Sequence, residues 1–124
     1  MANPLYDSLF ARHEGKLTPF LQLSDGRVVT HRDFLAQASR LAQVMVRLGL
    51  VPGDRVAVQV HKSPEALALY AACVQAGLIF LPLNTAYTAD ELSYFIEDSR
   101  AALVVCDEGN EAAVKARCEQ IRKQ

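Results

Sequence analysis

No stretch of this 124-residue chain is rich in glycine, none pairs its cysteines closely, and none carries a long apolar run. Each shortage closes a class of function. A phosphate cradle needs bare backbone that approaches the anion closely, yet Gly49, Gly53, Gly77 and Gly109 stand singly at element ends. Cys73, Cys106 and Cys118 are odd in number and far apart, without a C-x-x-C pair. They suggest neither a disulfide framework nor a zinc site, and fit packing or surface cysteines in a reducing, cytoplasmic setting. His13, His31 and His61 fall on separate elements without metal-ligand spacing, so no metal is expected. The apolar runs are far below the roughly 18 residues that span a bilayer, and no basic segment followed by an apolar core opens the chain. A net charge of −1 gives no electrostatic reason to expect nucleic acid or an anionic membrane.

What is present reads as one α/β unit over residues 1–124. A chain this long can bury roughly two-thirds of its unfolded surface, and 51% hydrophobic with 22% charged residues is ordinary for a globular protein. Leu5, Tyr6, Leu9 and Phe10 suit a short amphipathic helix ended near Gly15. Phe20–Leu23 and Arg27–Thr30 flank Ser24-Asp25-Gly26, a hairpin signal. Thr30 then caps a helix whose apolar stripe is Phe34, Leu35, Ala38, Leu41, Ala42, Met45 and Leu48, closed by Gly49.

Beyond the Pro52-Gly53-Asp54 turn the pattern becomes strand and helix in alternation. Arg55–Val60 is a strand; Ser63 caps a helix beginning at Pro64, with apolar residues Ala66, Leu67, Leu69, Tyr70, Cys73 and Val74, that stops at Gly77. Leu78–Leu83 is a short apolar strand that Pro82 and Asn84 bring to a halt. Thr88 and Glu91 have capping-box spacing for a helix to about Asp98. Ala102–Cys106 is a further strand, and Glu111 to about Arg122 a last helix. Apolar strands without polar alternation imply a mainly parallel sheet with helices on both faces, plus an N-terminal edge β-hairpin.

In such a sheet, ligands gather beyond the carboxyl ends of the strands, at His61-Lys62-Ser63, Asn84-Thr85-Ala86-Tyr87 and Cys106-Asp107-Glu108. Lys62 and Ser63 can meet an anion at a helix N-terminus; equally, Ser63 is an N-cap and Lys62 a solvated charge. Asn84, Thr85 and Tyr87 can line a polar wall against a substrate, or simply end a strand and start a helix. Asp107 and Glu108 point apart along the backbone and read as acids at a helix start.

The order of segments resembles the N-terminal part of the acyl-CoA synthetases, the adenylate-forming ligase superfamily. The resemblance rests on Arg27-Val28-Val29-Thr30-His31-Arg32-Asp33-Phe34, where His31 and Phe34 depart from the family's aromatic and leucine. It rests also on Leu48–Val58, and on Val74-Gln75-Ala76-Gly77-Leu78-Ile79-Phe80-Leu81-Pro82-Leu83-Asn84. Lys62–Leu67 and Leu83–Thr88 are most like malonyl-CoA synthetases. The resemblance implies a parent enzyme that uses ATP, Mg2+ and coenzyme A to convert a small carboxylate such as malonate into its acyl-CoA, with AMP and pyrophosphate released. It covers roughly the first quarter of a family member. The family's phosphate-binding loop, ribose-binding aspartate and catalytic lysine would lie beyond Gln124, so no catalytic or cofactor-binding residue is carried onto this chain. The implied partner is therefore the remainder of the parent enzyme, with none of the cofactors bound by this chain alone. An unfinished sheet edge also favours self-association. The alternative from a different class is a stand-alone, non-catalytic α/β module that binds another protein through that edge.

Overall fold

The computed structural model describes residues 3–122, with side chains through Glu119. The chain divides into two compact units, one of residues up to Pro52 with Lys62–Leu78, the other of Gly53–His61 with the residues from Ile79 onward.

The first unit contains helix α1 (Pro4–Leu9), a 3-10 turn (Ala11–His13), strands β1 (Pro19–Gln22) and β2 (Val28–Thr30), and helices α2 (His31–Arg47) and α3 (Pro64–Ala76). The expected first helix therefore breaks after Leu9 and resumes as a tighter turn. Asn3 caps α1 by accepting from the Tyr6 N–H at 3.1 Å, and its amide donates to the Val74 carbonyl at 2.7 Å, which ties the start of the chain to the end of α3. β1 and β2 are antiparallel and form a two-stranded sheet of their own. Arg27 donates through its backbone N–H and its Nε to Asp25 at 3.0 and 2.7 Å, and these bonds hold the Asp25 carboxyl below its ordinary range.

The N-caps fall where side-chain oxygens were expected. Thr30 accepts from the Asp33 N–H at 3.1 Å and Ser63 from the Ala66 N–H at 3.1 Å, each satisfying a donor that the first helical turn leaves without a partner. α2 buries Phe34, Leu35, Ala38, Ala42 and Met45. Leu48, expected in that stripe, is 62% exposed, because the chain turns at Gly49 and Leu50 takes the inward place. α3 buries Ala68, Leu69, Ala71, Ala72, Cys73 and Val74, whereas Leu67, expected inside, lies outside. Small alanines carry little hydrophobic signal, yet they permit the close packing of α3 on α2.

Six rings form a continuous aromatic chain in this unit. Tyr6 meets Phe10, Phe10 meets Phe34, Phe34 meets Phe20, Phe20 meets His31, and His31 stacks on His13, with centroid separations from 4.6 to 6.2 Å. The three pairs among Tyr6, Phe10, Phe34 and Phe20 add about 0.5–1.5 kcal/mol each beyond area burial.

The second unit holds β3 (Arg55–Gln59), β4 (Ile79–Pro82), α4 (Ala89–Ser99), β5 (Leu103–Cys106), a 3-10 turn (Glu108–Asn110) and α5 (Glu111–Arg122). Its sheet is parallel, in the order β4-β3-β5, with Val56 opposite both Phe80 and Leu103. β3 is buried from Val56 to Gln59. β4 and β5, read as fully covered from their apolar sequences, are only partly buried, since each pairs with β3 on one side alone. That edge position is what Pro82 needs, because it has no N–H to give to a second neighbour. The capping box of α4 is complete: Glu91 N–H donates to Thr88 Oγ1 at 3.2 Å and Thr88 N–H to Glu91 Oε1 at 3.1 Å. Leu92, Ile96 and Val114 pack together beneath α4 and α5, flanked by Leu83, Val104, Cys106 and Cys118.

Two outcomes follow for stability. Gly77 closes α3 in the left-handed region (φ 74°), with Leu78 N–H returning to the Cys73 carbonyl at 2.8 Å. A Cβ there would also lie 3.3 Å from Pro52 Cβ. Gly77→Ala is expected to cost about 1–2 kcal/mol in urea unfolding, whereas Gly109→Ala, which meets nothing within 4 Å, should stay within about 0.5 kcal/mol. Burial pushes the fully enclosed Cys73 thiol up from 9.0 to about 11. The folded state then holds a proton that the unfolded state releases, so its contribution to stability is full below pH 9.0 and is lost as the pH rises towards about 11. Thermal unfolding of the chain and of Cys73→Val should show the steeper alkaline decline in the unsubstituted chain; equal slopes would contradict this.

Candidate functional site

Parallel strands deliver their carboxyl ends to one side of a sheet, and in the second unit those ends belong to Gln59–His61, Leu83–Thr85 and Cys106–Glu108. Side chains cross between them. Gln59, 3% exposed, donates from Nε2 to the Asn84 carbonyl at 3.1 Å, bridging β3 to the loop after β4. A buried amide on an apolar strand is costly without partners. Gln59 was the detectable signal in the sequence, as the polar residue on an otherwise apolar strand.

On the other side of β3, Asp107 accepts from the His61 N–H at 3.1 Å and its Oδ2 also meets His61 Nδ1. Asp107 and Glu108 do stand at a helix start, Asp107 as the N-cap residue of the 3-10 turn and Glu108 in its first turn, but the Asp107 side chain makes no cap bond there. Its carboxylate is engaged across the sheet instead. The imidazole of His61 is 78% exposed, so this contact orders the strand ends while leaving most of the ring in solvent.

The loop after β4 turns on itself. Asn84 Oδ1 accepts from the Ala86 N–H at 2.8 Å and the Asn84 carbonyl accepts from Tyr87 N–H at 3.1 Å, an Asx-type turn. The Tyr87 ring stacks on Phe95 of α4, centroids 4.9 Å apart. Thr85 and Tyr87 then line a cleft of about 190 Å3 with Gln59, Asn110, Val114 and Arg117. Arg117 Nη2 pairs with Asp90 Oδ1 at 3.0 Å. Arg117 reaches this cleft from α5 and Asn110 from the 3-10 turn before it, a chain path that no local sequence pattern announces.

Of the five candidate residues, Thr85 and Tyr87 come together in the cleft, and Asn84 shapes the loop behind them. Lys62 and Ser63 belong to the first unit, where Ser63 is occupied as the cap of α3.

Ligand pockets usually occupy roughly 300–1,000 Å3, and a triphosphate also requires several aligned amides and cations. The cleft is smaller, and its one lining guanidinium already faces Asp90. The residues around it do not fit a nucleoside triphosphate.

A second, more apolar groove of about 550 Å3 runs between β5 and α5, lined by Leu103, Val104, Cys106, Val114, Lys115 and Cys118. Cys106 is pushed above the ordinary thiol range by burial first, then by the carboxylates of Glu111 and Asp107 and by Cys118. A thiol in such surroundings is a poor nucleophile near neutral pH.

Residues 10–124 match the family described as AMP-binding enzyme. MatB from Rhodopseudomonas palustris in its ATP-bound form is similar over 98% of this chain and 24% of its own, with 40% identity and a TM-score of 0.90; its apo form gives 0.89. Acetyl-coenzyme A synthetase of Mycobacterium tuberculosis is 36% identical over 70% of this chain and 13% of its own length. Fatty acid–[acyl-carrier-protein] ligase ScoC of Streptomyces coeruleorubidus is 32% identical over 82% of this chain and 19% of its own. The chain thus spans about a quarter of the MatB structures and less of the curated relatives. With the match running through all but its first nine residues, this chain belongs to the AMP-binding enzyme family and corresponds to the N-terminal part of an acyl-CoA synthetase.

Proposed function

We propose that the chain is the N-terminal scaffold of an ATP-dependent, malonyl-CoA synthetase-like enzyme. In this reading the whole enzyme uses Mg2+ and joins a small carboxylate such as malonate to coenzyme A through an acyl-adenylate, releasing AMP and pyrophosphate. The observation that carries the proposal is the likeness to MatB along nearly the entire chain at 40% identity.

The part played by this chain is to build a parallel sheet and present its loops. Lys62, Ser63, Asn84, Thr85 and Tyr87 are assigned to the substrate-side loops, and adenylation itself to the remainder of the parent. Charge stabilisation on transferring phosphates needs preorganised donors and a metal, which the small cleft of the second unit does not supply. Among the described residues, no helix is long and apolar enough to cross a membrane; the enzyme is assigned to the cytoplasm as part of the proposal.

ATP–pyrophosphate exchange by the whole enzyme tests the reading. Malonate-dependent exchange is expected; faster exchange with acetate or a fatty acid would overturn the malonate assignment. Calorimetry on the chain alone should show ATP binding no tighter than roughly millimolar, about −4 kcal/mol. Micromolar binding would defeat the scaffold assignment, and a stable complex with an unrelated protein in place of any parent enzyme would favour the stand-alone module.

A further inference from the structure

His13 and His31, eighteen residues apart in sequence, lie with their rings stacked, centroids 4.8 Å apart and planes inclined by 21°. Their hydrogen bonds fix which nitrogens carry protons. Both the Thr18 carbonyl and the Thr18 hydroxyl lie 3.0 Å from His31 Nδ1; the carbonyl can only accept, so Nδ1 is assigned the hydrogen and the hydroxyl oxygen accepts alongside it. The Lys16 ammonium can only donate, so His13 Nδ1, at 3.2 Å from Nζ, presents its lone pair and the His13 ring is neutral. Protonating His13 at Nδ1 replaces that bond with two facing cations.

The protein groups that bear most on such a charge are themselves cationic or imidazole groups, Lys16, His31 and Arg12. The charged or titratable groups near His13 are Arg12, Glu14 and Lys16 on its own segment, Tyr6 on α1, and His31 and Arg32 at the start of α2. Glu14 is already engaged by the Tyr6 hydroxyl at 2.6 Å. His31 is the first residue of α2, where the positive end of the helix dipole opposes a further cation. The same corner is held by two backbone bonds, His31 N–H to the Thr18 carbonyl at 3.0 Å and Arg32 N–H to the Lys16 carbonyl at 2.8 Å.

We propose that the stacked His13–His31 pair is an acid-sensitive latch, which holds the Ala11–Thr18 segment against the start of α2 while the His13 ring is neutral and releases it when His13 is protonated. Consistent with this geometry, desolvation, followed by Lys16, His31 and Arg12, lowers the proton affinity of His13 from its ordinary value of 6.5. A lowered folded value means that the latch contributes fully above pH 6.5 and is lost as the pH falls below it.

The test is an NMR titration of the chain from about pH 8 to about pH 4.5, following both imidazole rings together with exchange of the His31 and Arg32 amides. His13 should titrate below an ordinary imidazole, and exchange at the two amides, taken relative to the intrinsic amide rate at each pH, should rise about tenfold through the same midpoint. Lys16→Met should move the His13 midpoint upward. His31→Phe keeps a ring in the stack but removes one of the groups that lower His13, and should also move its midpoint upward. Protection of both amides that persists through the His13 transition, or a midpoint unmoved by Lys16→Met, would overturn the latch. These readouts use no nucleotide or carboxylate, so their outcome is separable from that of the ligase assignment.

Discussion

The double pairing of β3 is the constraint on which the second unit depends. Val56, Ala57 and Val58 each face a partner on both neighbouring strands, Phe80 to Pro82 on one side and Leu103 to Val105 on the other. A strand with both ladders filled leaves no backbone group without a partner, and its apolar side chains can be enclosed without the cost of a lost hydrogen bond. Because all three strands are parallel, this register also decides which residues share an end of the sheet. Gln59, Asn84 and Asp107 become neighbours by that fact alone.

The polar residues at these strand ends are largely consumed by structure. Gln59 ties β3 to the loop after β4, Asn84 closes a turn, Asp107 holds His61, and Thr88 with Glu91 starts α4. What remains toward the cleft on the polar side is a threonine, Asn110, a tyrosine already stacked on Phe95, and an arginine facing Asp90. Such a surface scaffolds loops well and offers little to a highly charged ligand. This agrees with a chain that spans about a quarter of the MatB structures it resembles.

The first unit is organised differently, through side chains rather than a sheet. Its hairpin is too short to bury a face of its own, and the aromatic chain from Tyr6 to His13 joins α1, the 3-10 turn, β1 and α2 instead. The His31 imidazole fills a ring's place between His13 and Phe20.

Local chemistry by itself determined the elements of this protein. Caps at Thr30, Ser63 and Thr88, stops at Gly49 and Gly77, and the β-branched run of β3 act within a few residues of one another, so each is legible where it stands. The family resemblance was legible for the same reason, because it is carried by those turns and strand entries. Only tertiary structure decided which of two apolar residues, Leu48 or Leu50, turned inward, and that alanines rather than Leu67 formed the packed face of α3. It alone brought Arg117 and Asn110 to Thr85 and Tyr87, and His13 to His31. These are contacts between segments distant in sequence, fixed by helix rotation and chain path, and neither quantity is written in the spacing of residues along one element.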